Sequence, residues 1–161
     1  AVPVMNPLDL VFGGGRTMLD LGRKFSDGLP IFGPGKTLRG FVAGVSAGTT
    51  AAFLIAVIFQ EHIQLISPTA LGYVSLGFLV SLGALVGDLV KSFFKRRAGI
   101  EQGRDLLLVD QLDFVAGGII FGLPLYTPAP FEVAVITIAT VVVHRASNFL
   151  AFKFRLKKVP W

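Results

Sequence analysis

Hydrophobic residues dominate two long stretches of the chain, residues 40–90 and 105–144, and neither stretch contains a Lys or Arg. Each is long enough to cross a bilayer twice, because one helical crossing takes about 20 residues. Turn-forming residues divide each stretch, at Ser67-Pro68 and at 124–130. The pattern predicts four membrane-spanning helices, at about 38–59, 69–90, 106–123 and 131–152. The second is expected to continue into the basic residues that follow it, and Ser67-Pro68 is expected to start it.

Basic residues are confined to the remaining segments. All fifteen Lys and Arg residues lie within 16–39, 91–104 and 145–158. Loops rich in Lys and Arg stay on the cytoplasmic side of a membrane protein. We therefore expect cytoplasmic loops at about 13–37 and 91–105, a cytoplasmic tail at about 153–161, and a functional site on that face of the cell membrane.

Composition supports a membrane protein. The chain has 161 residues, of which 53% are hydrophobic and only 16% charged, with a mean hydropathy of +0.71. This predicts one all-α domain, residues 1–161, folded as a polytopic membrane helix bundle. Ala1–Phe12 is too short to span, so a fifth helix, if present, forms with residues upstream of Ala1.

Charge and cysteine content exclude several classes of function. The net charge of +5 lies on loops beside hydrophobic spans, without the aromatic-interleaved basic surface of a nucleic-acid-binding protein. We therefore expect no nucleic-acid partner. The chain contains no cysteine, which excludes disulfides, thiolate metal sites and cysteine nucleophiles.

Three acidic residues interrupt the predicted spans close to their basic ends. Asp88 lies near the end of the second span, and Asp110 and Asp113 lie one to two turns into the third. Asp110 and Asp113 share one helix face because they are three residues apart. Carboxylates in one cavity repel each other unless a cation neutralises them, and oxygen ligands without His or Cys favour Mg²⁺. We predict a Mg²⁺ site at Asp88, Asp110 and Asp113.

Basic residues near these acids are candidates for binding phosphate. Lys91 and Lys95 follow Asp88 at helical spacing, Arg96 is adjacent, and Arg145 lies about two turns inside the fourth span. Substrate phosphates usually complete the coordination of Mg²⁺, and Lys and Arg would neutralise their remaining charge.

The first basic loop carries Gly33-Pro34-Gly35-Lys36-Thr37. Its Gly-Lys-Thr end is similar to a P-loop, but that motif requires glycine where Pro30 stands and a preceding strand. The prediction is instead a flexible turn at the start of a helix. It would present Lys36 and the amides around Thr37 to a phosphate.

Other interpretations are open on these observations alone. The acids could form buried structural ion pairs with Lys91, Lys95 or Arg145. Asp110 and Asp113 could be the relay of an ion-coupled transporter. The chain could also be a non-catalytic anchor whose basic loops hold anionic lipid. A relay favours acids spread across the bilayer, whereas these lie toward one side, and an anchor gives the acids no role.

Two segments resemble membrane CTP-dependent phosphatidate cytidylyltransferases: Ser92-Phe93-Phe94-Lys95-Arg96 and Asp110-Gln111-Leu112-Asp113. Asp105-Leu106-Leu107 replaces the His-Gly-Gly of those longer enzymes. The chain is more similar to their short archaeal branch, the CDP-archaeol synthases. The motifs shared with that branch, in one order along nearly the whole chain, are Gly13–Gly15, Asp20 with Gly22, Gly33–Gly40, Gly87–Arg96 and Asp110–Asp113.

This resemblance implies an enzyme that transfers CMP from CTP to 2,3-bis-O-geranylgeranylglycerol 1-phosphate and releases pyrophosphate, with Mg²⁺ as cofactor. It also implies a first helix upstream of Ala1. Together with the spacing of the charged residues, the resemblance predicts the following roles. The catalytic residues are expected to be Asp88, Lys91, Asp110 and Asp113. Lys36, Thr37, Lys95 and Arg96 are expected to bind CTP, and Arg145 is expected to bind the lipid phosphate. The oligomeric state is left open.

Overall fold

The computed structural model describes residues 17–59, 66–67, 69–100 and 109–154, apart from the side chains of residues 109–111, 144, 148 and 151. Every regular element in that part of the chain is a helix. In chain order they are α1 (Leu38–Ile58), α2 (Ala70–Arg97), α3 (Val109–Gly122) and α4 (Pro130–Lys153). The predicted all-α membrane bundle is confirmed.

Only some of these helices are long enough to cross a bilayer. Three are long and apolar enough to cross one, at Leu38–Ile58, Ala70–Arg97 and Pro130–Ser147, while α3 contributes a shorter apolar segment, Leu112–Gly122. The predicted third span begins among residues 101–108, which lie outside the described part of the chain. The number of four spans therefore stays a prediction.

Polar side chains fix where the helices begin. Thr37 caps α1 by accepting a hydrogen bond from Gly40 N at 3.1 Å, and Thr69 caps α2 by accepting one from Gly72 N at 3.0 Å. The prediction that Ser67 caps the second span was wrong by two residues. At α4, the carboxylate of Glu132 accepts a hydrogen bond from Ala129 N at 2.7 Å.

The end of α2 bears on two predictions: a loop at about 91–105 and a second span that continues into the basic residues. Residues 91–97 are helical, as the predicted continuation of the second span requires, and α2 ends at Arg97, two residues before Gly99, whose φ of 69° is unfavourable for other residues. Gly99 N donates to Arg96 O and Ile100 N donates to Lys95 O, as in a Schellman motif. The basic residues in this last turn also suit the negative end of the helix dipole. The helix of 28 residues is about 42 Å long and so extends beyond a bilayer core of about 30 Å.

Glycines bring α2 and α3 into backbone contact. A Cβ atom built at Gly83 would lie 2.2 Å from the carbonyl oxygen of Gly117, and one at Gly87 would lie 2.3 Å from the carbonyl oxygen of Asp113. The helices run antiparallel, because later positions on α2 meet earlier positions on α3. Such close approach is how helices associate in lipid, where burial of apolar surface gives no net driving force.

The same device joins α1 to α2, since a Cβ atom at Gly48 would meet Ser81 and one at Gly77 would meet Ala52. Large apolar side chains instead point outward, for example Phe53, Ile58 and Leu71, which are all more than half exposed. Among the described helices, α4 contacts only α3. Small residues between the helices and large apolar residues on the outside are the arrangement expected for a protein surrounded by lipid.

Candidate functional site

Four charged side chains meet where α2, α3 and the loop before α1 converge. Asp88 accepts a short hydrogen bond from Lys36 through Oδ2, and its Oδ1 lies 3.2 Å from Lys91 Nζ. Lys91 Nζ lies 2.7 Å from Asp113 Oδ2. Three of these side chains are nearly buried, with exposed fractions of 10–13%, and Lys36 is 29% exposed. Sequence reasoning predicted all four, and the structure brings them together.

Helix packing explains why the two acids are close. Gly87 leaves room for the backbone of α3 at Asp113, so the carboxylate of Asp113 reaches Lys91, one turn further along α2. Lys91 therefore lies between two carboxylates that come from different helices. Its ammonium group also lies 5.0 Å from the centre of the Phe114 ring.

The carboxylate of Asp113 is not fully satisfied. Its Oδ1 is buried without a hydrogen-bond partner among the described residues, whereas its Oδ2 forms an ion pair with Lys91. A buried carboxylate oxygen without a donor is costly unless another ligand binds it. Hard oxygen donors of this kind fit a divalent cation, and Asp88 supplies two more.

The three-carboxylate metal site stays a prediction. The side chain of Asp110 lies outside the described residues. Among the side chains that are described, no three acidic or histidine residues form a group that could hold a metal ion. Asp88 and Asp113 instead share two lysines, so that two positive charges balance two negative ones.

The loop that carries Lys36 has an ordered interior built on Asp20. The buried carboxylate of Asp20 accepts hydrogen bonds from three backbone N–H groups, those of Gly22 (2.9 Å), Phe32 (2.9 Å) and Gly33 (3.2 Å). Burial alone would raise the pKa of Asp20, but the N–H groups of Phe32, Gly22 and Gly33 outweigh burial and hold that pKa below its usual value of 3.8.

Backbone hydrogen bonds also hold the turn at Lys36. Lys36 N donates to Gly33 O at 3.2 Å, Leu19 N donates to Lys36 O at 2.8 Å, and Leu38 N donates to Thr17 O at 3.0 Å. The sequence predicted a flexible turn here, and these bonds tie both sides of the turn to the start of the loop. The Thr37 hydroxyl, predicted to bind phosphate, serves as the helix cap, although its own hydrogen can still donate.

Lys95 and Arg96 lie farther along α2, about 10 Å or more from Asp88 along the helix axis. The Nε of Arg96 is buried without a hydrogen-bond partner among the described residues, and its Cδ lies beside Gly33 of the loop. An unsatisfied guanidinium donor is available to a phosphate. Arg145 is half-buried on α4, and its predicted contact with the lipid phosphate is untested.

Sequence reasoning gave no specific role to Arg97. Its Nε lies 3.0 Å from Asp27 Oδ2, and its guanidinium stacks on Phe93 and Phe25. The resemblance marked Asp20 without a role, and one of three consecutive basic residues gave no reason to select Arg97. Only the fold of the loop reveals what either residue contacts.

The helices also form an apolar groove of about 490 Å³. Glycines and other small residues on α1, α2 and α3 form much of its wall, among them Gly48, Ala52, Gly77 and Gly118. Phe114, whose ring centre lies 5.0 Å from Lys91 Nζ, also lines it, and Lys91 and Asp113 themselves line a smaller apolar groove of about 350 Å³. A molecule with an apolar chain and a charged end could therefore occupy the groove and reach the cluster.

Known proteins match nearly the whole chain. A family model described as CarS-like CDP-archaeol synthase matches residues 2–161. The CDP-archaeol synthase of Methanocaldococcus jannaschii is 41% identical over 98% of this chain and 90% of its own length, and that of Pyrococcus abyssi is 38% identical over 97% and 90%.

One solved structure supports the same relationship. It is described as an intramembrane enzyme for archaeal membrane lipids biosynthesis, has a TM-score of 0.71 and 36% identity, and covers 84% of this chain and 80% of its own. The fold, the charged cluster and these matches agree: the chain belongs to the CDP-archaeol synthase family.

Proposed function

We propose that this enzyme transfers CMP from CTP to 2,3-bis-O-geranylgeranylglycerol 1-phosphate at the cytoplasmic face of the cell membrane. The observation that supports this best is the buried group of Lys36, Asp88, Lys91 and Asp113 beside an apolar groove, in a chain of the CDP-archaeol synthase family. Membership of a synthase family does not support the transporter interpretation of Asp110 and Asp113.

The chemistry needs charge stabilisation more than proton transfer. A phosphate monoester has a second pKa near 6, so the lipid phosphate is an ionised nucleophile at neutral pH. One of its oxygens forms a bond to the α-phosphorus of CTP, while the bond from that phosphorus to the bridging oxygen breaks and pyrophosphate leaves. No general base is required, which suits a cluster made only of carboxylates and ammonium groups.

The two lysines supply positive charge at this centre. Without substrate, Lys36 and Lys91 neutralise Asp88 and Asp113. When phosphates arrive, the ammonium groups can move from the carboxylates to phosphate oxygens, where negative charge builds up during the displacement. Arg96, with its unsatisfied Nε, and Lys95 would neutralise the outer phosphates of CTP. Arg145 is proposed for the lipid phosphate, and the N–H groups near Thr37 for CTP.

A divalent cation would bind to the carboxylates that the lysines leave. Asp88 and Asp113, with the Oδ1 of Asp113 already lacking a donor, are the candidate ligands, and Asp110 is a third from the sequence. Cytidylyltransferases generally require a divalent metal, and we propose Mg²⁺ because only oxygen ligands are offered. When bound, Mg²⁺ would polarise the phosphoryl oxygens and balance the charge of the triphosphate.

The apolar groove would hold an isoprenoid chain of the lipid. Its small-residue wall leaves space between the helices, and Phe114 in that wall lies 5.0 Å from Lys91 Nζ of the cluster. The lipid phosphate would then remain at the cluster while the tails stay in an apolar environment. CTP, being water-soluble, would enter from the side of the basic loop.

The direct test is incorporation of labelled CTP into lipid by the purified protein with the prenyl-ether lipid phosphate and Mg²⁺. We expect a labelled CDP-lipid and one pyrophosphate per turnover, both lost when a chelator removes the metal. Absence of product in a folded preparation with all three components would refute the proposal.

Replacing Asp113 by Asn tests the role of its charge. The amide keeps the shape of the side chain but binds a hard cation weakly, so we expect turnover to be abolished with little change in melting temperature. Glu132→Gln is the matched control, because Glu132 pairs with Tyr126 and Ala129 away from the cluster. A large fall in melting temperature with retained Mg²⁺-dependent activity would instead make Asp113 a structural ion-pair partner.

A further inference from the structure

The side chain of Arg97 joins the first basic loop to the end of α2. Its guanidinium carbon lies 3.3 Å from the centre of the Phe93 ring and 4.5 Å from that of Phe25. Its Nε lies 3.0 Å from Asp27 Oδ2, and its Nη1 donates to Phe93 O at 3.0 Å. Phe93 belongs to α2, whereas Phe25 and Asp27 belong to the loop.

The aromatic rings close this contact from both sides. Phe25 and Phe93 meet edge to face, with 5.3 Å between ring centres. Phe25 is nevertheless 48% exposed, and every described residue from 21 to 30 has an exposed surface. The tip of the loop is thus not held by burial in a core. Arg97 holds it by stacking a planar guanidinium on both rings while pairing with Asp27, a combination that an ammonium group cannot make.

Hydrogen bonds run through the rest of the loop from its tip to Lys36. Phe25 N donates to Leu29 O, and Ile31 N donates to Arg23 O, which closes the tip as a hairpin. Asp20 then binds the N–H groups of Phe32 and Gly33, and Gly33 O accepts the N–H of Lys36. A continuous chain of hydrogen bonds therefore connects the tip to the lysine that reaches Asp88.

We propose that Arg97 is a positioning residue, which fixes the loop of residues 17–37 on α2 and thereby places the ammonium group of Lys36 at Asp88. It acts through Lys36 and does not contact the reacting phosphates. The consequence for catalysis rests on the proposed function, but the attachment of the loop does not.

A double-mutant cycle tests whether Arg97 acts through Lys36. We expect Arg97→Met to lower kcat/KM for CTP about tenfold in the parent protein but less than about twofold in the Lys36→Ala background, because two residues acting as one unit are not additive. Arg97→Lys, which keeps the charge and loses the planar stack, should resemble Arg97→Met. Equal losses in both backgrounds, or full activity of Arg97→Lys, would overturn the proposal.

Limited proteolysis without nucleotide tests the attachment by itself. Trypsin can cleave after the exposed Arg23 and Lys24, and the variants Asp27→Asn and Phe25→Leu leave both sites intact. We expect each variant to be cut there about fivefold faster or more, because loop opening exposes the sites and cleavage follows the open population. Phe94→Leu is the control. Phe94 contacts Phe93 within α2 and has no ring contact with the described residues of the loop, so this substitution should not change the cleavage rate.

The two experiments distinguish failure of the loop attachment from failure of the proposed function. Parent-like cleavage of both loop variants would overturn the attachment even in an active enzyme. A parent protein without CMP-transfer activity but with faster cleavage of the variants would refute the proposed function and leave the attachment standing.

Discussion

At the scale of single residues, Asp88 is unusual because it forms ion pairs with two lysines from different parts of the chain. Lys91 is on its own helix, and Lys36 is 52 residues away. The spacing of Asp88 and Lys91 could be read from the sequence, since residues three apart share a helix face. The partnership with Lys36 could not, because nothing local relates a glycine-rich turn to a later helix.

Lys36→Ala should lower kcat/KM for CTP at least about tenfold, because a hydrogen bond to a charged group contributes about 1.5–3 kcal/mol. Steady-state kinetics with CTP varied would measure this. Lys24→Ala is the matched control, since Lys24 is exposed on the same loop. Parent-like kinetics for Lys36→Ala would show that the turn at Gly33–Lys36 has only a structural role.

Asp20 predicts how the loop responds to acid. The pKa of Asp20 is lower in the folded protein than its usual value of 3.8. The ionised carboxylate therefore stabilises the loop fully at pH values above 3.8. This stabilisation is lost as the pH falls through the lower, folded pKa. Hydrogen-exchange protection of the Phe32 and Gly33 amides should therefore fall in acid while protection in α1 persists. Asp20→Asn should lose the protection already at neutral pH, and a pH-independent protection factor in the parent would contradict this assignment.

At the scale of secondary-structure elements, the contact of α2 with α3 builds the site. Gly83, Gly87 and Gly117 remove the side chains that would separate the two backbones. The sequence showed small residues in these helices, but small residues also occur on faces that meet only lipid. Which of them pair, and at what register, follows from the packing of the whole helix surfaces.

Gly117→Ala tests this contact. A Cβ atom there would lie 2.2 Å from Gly83 O, so the helices must move apart, and Asp113 must move away from Lys91. We expect a lower melting temperature and a loss of CMP transfer of about tenfold or more, since small displacements of catalytic groups are costly. Thermal unfolding and turnover should be measured beside Ile120→Ala, a larger chemical change at a position that is 61% exposed. Equal effects of the two substitutions would show that the close approach is not important.

At the scale of the whole molecule, basic residues and the charged cluster lie at the same end of the bundle. Lys36 and Lys91 belong to the cluster, and Arg96 and Arg97 continue from it along α2. The turn between α3 and α4 lies at the other end, where Tyr126 donates to Glu132 at 2.7 Å. The distribution of Lys and Arg predicts that the first end faces the cytoplasm.

Cysteine labelling can verify this orientation, because the protein has no native cysteine. In sealed vesicles of known orientation, a membrane-impermeant thiol reagent should label Thr127→Cys only from outside and Ser26→Cys only from the cytoplasmic side. Both positions are exposed, so both should react once the membrane is dissolved. Labelling of Thr127→Cys from the cytoplasmic side would overturn the topology and the cytoplasmic location of the site.

The sequence by itself determined the membrane class, the approximate helices and the charged residues of interest. These depend on the length of apolar runs, on helical spacing and on the cost of charge in lipid, which are all local properties. Local signals were less reliable at the ends of elements, where the start of the predicted loop at about 91–105 is helical as far as Arg97 and Thr69 replaced Ser67 as the cap. Only the tertiary structure decided that Lys36 reaches Asp88, that Lys91 bridges two helices, and that Arg97 holds the loop. Each of these contacts depends on how closely glycine-bearing helices approach and on how a distant loop folds onto them, and neither distance is encoded in the residues on one side of the contact alone.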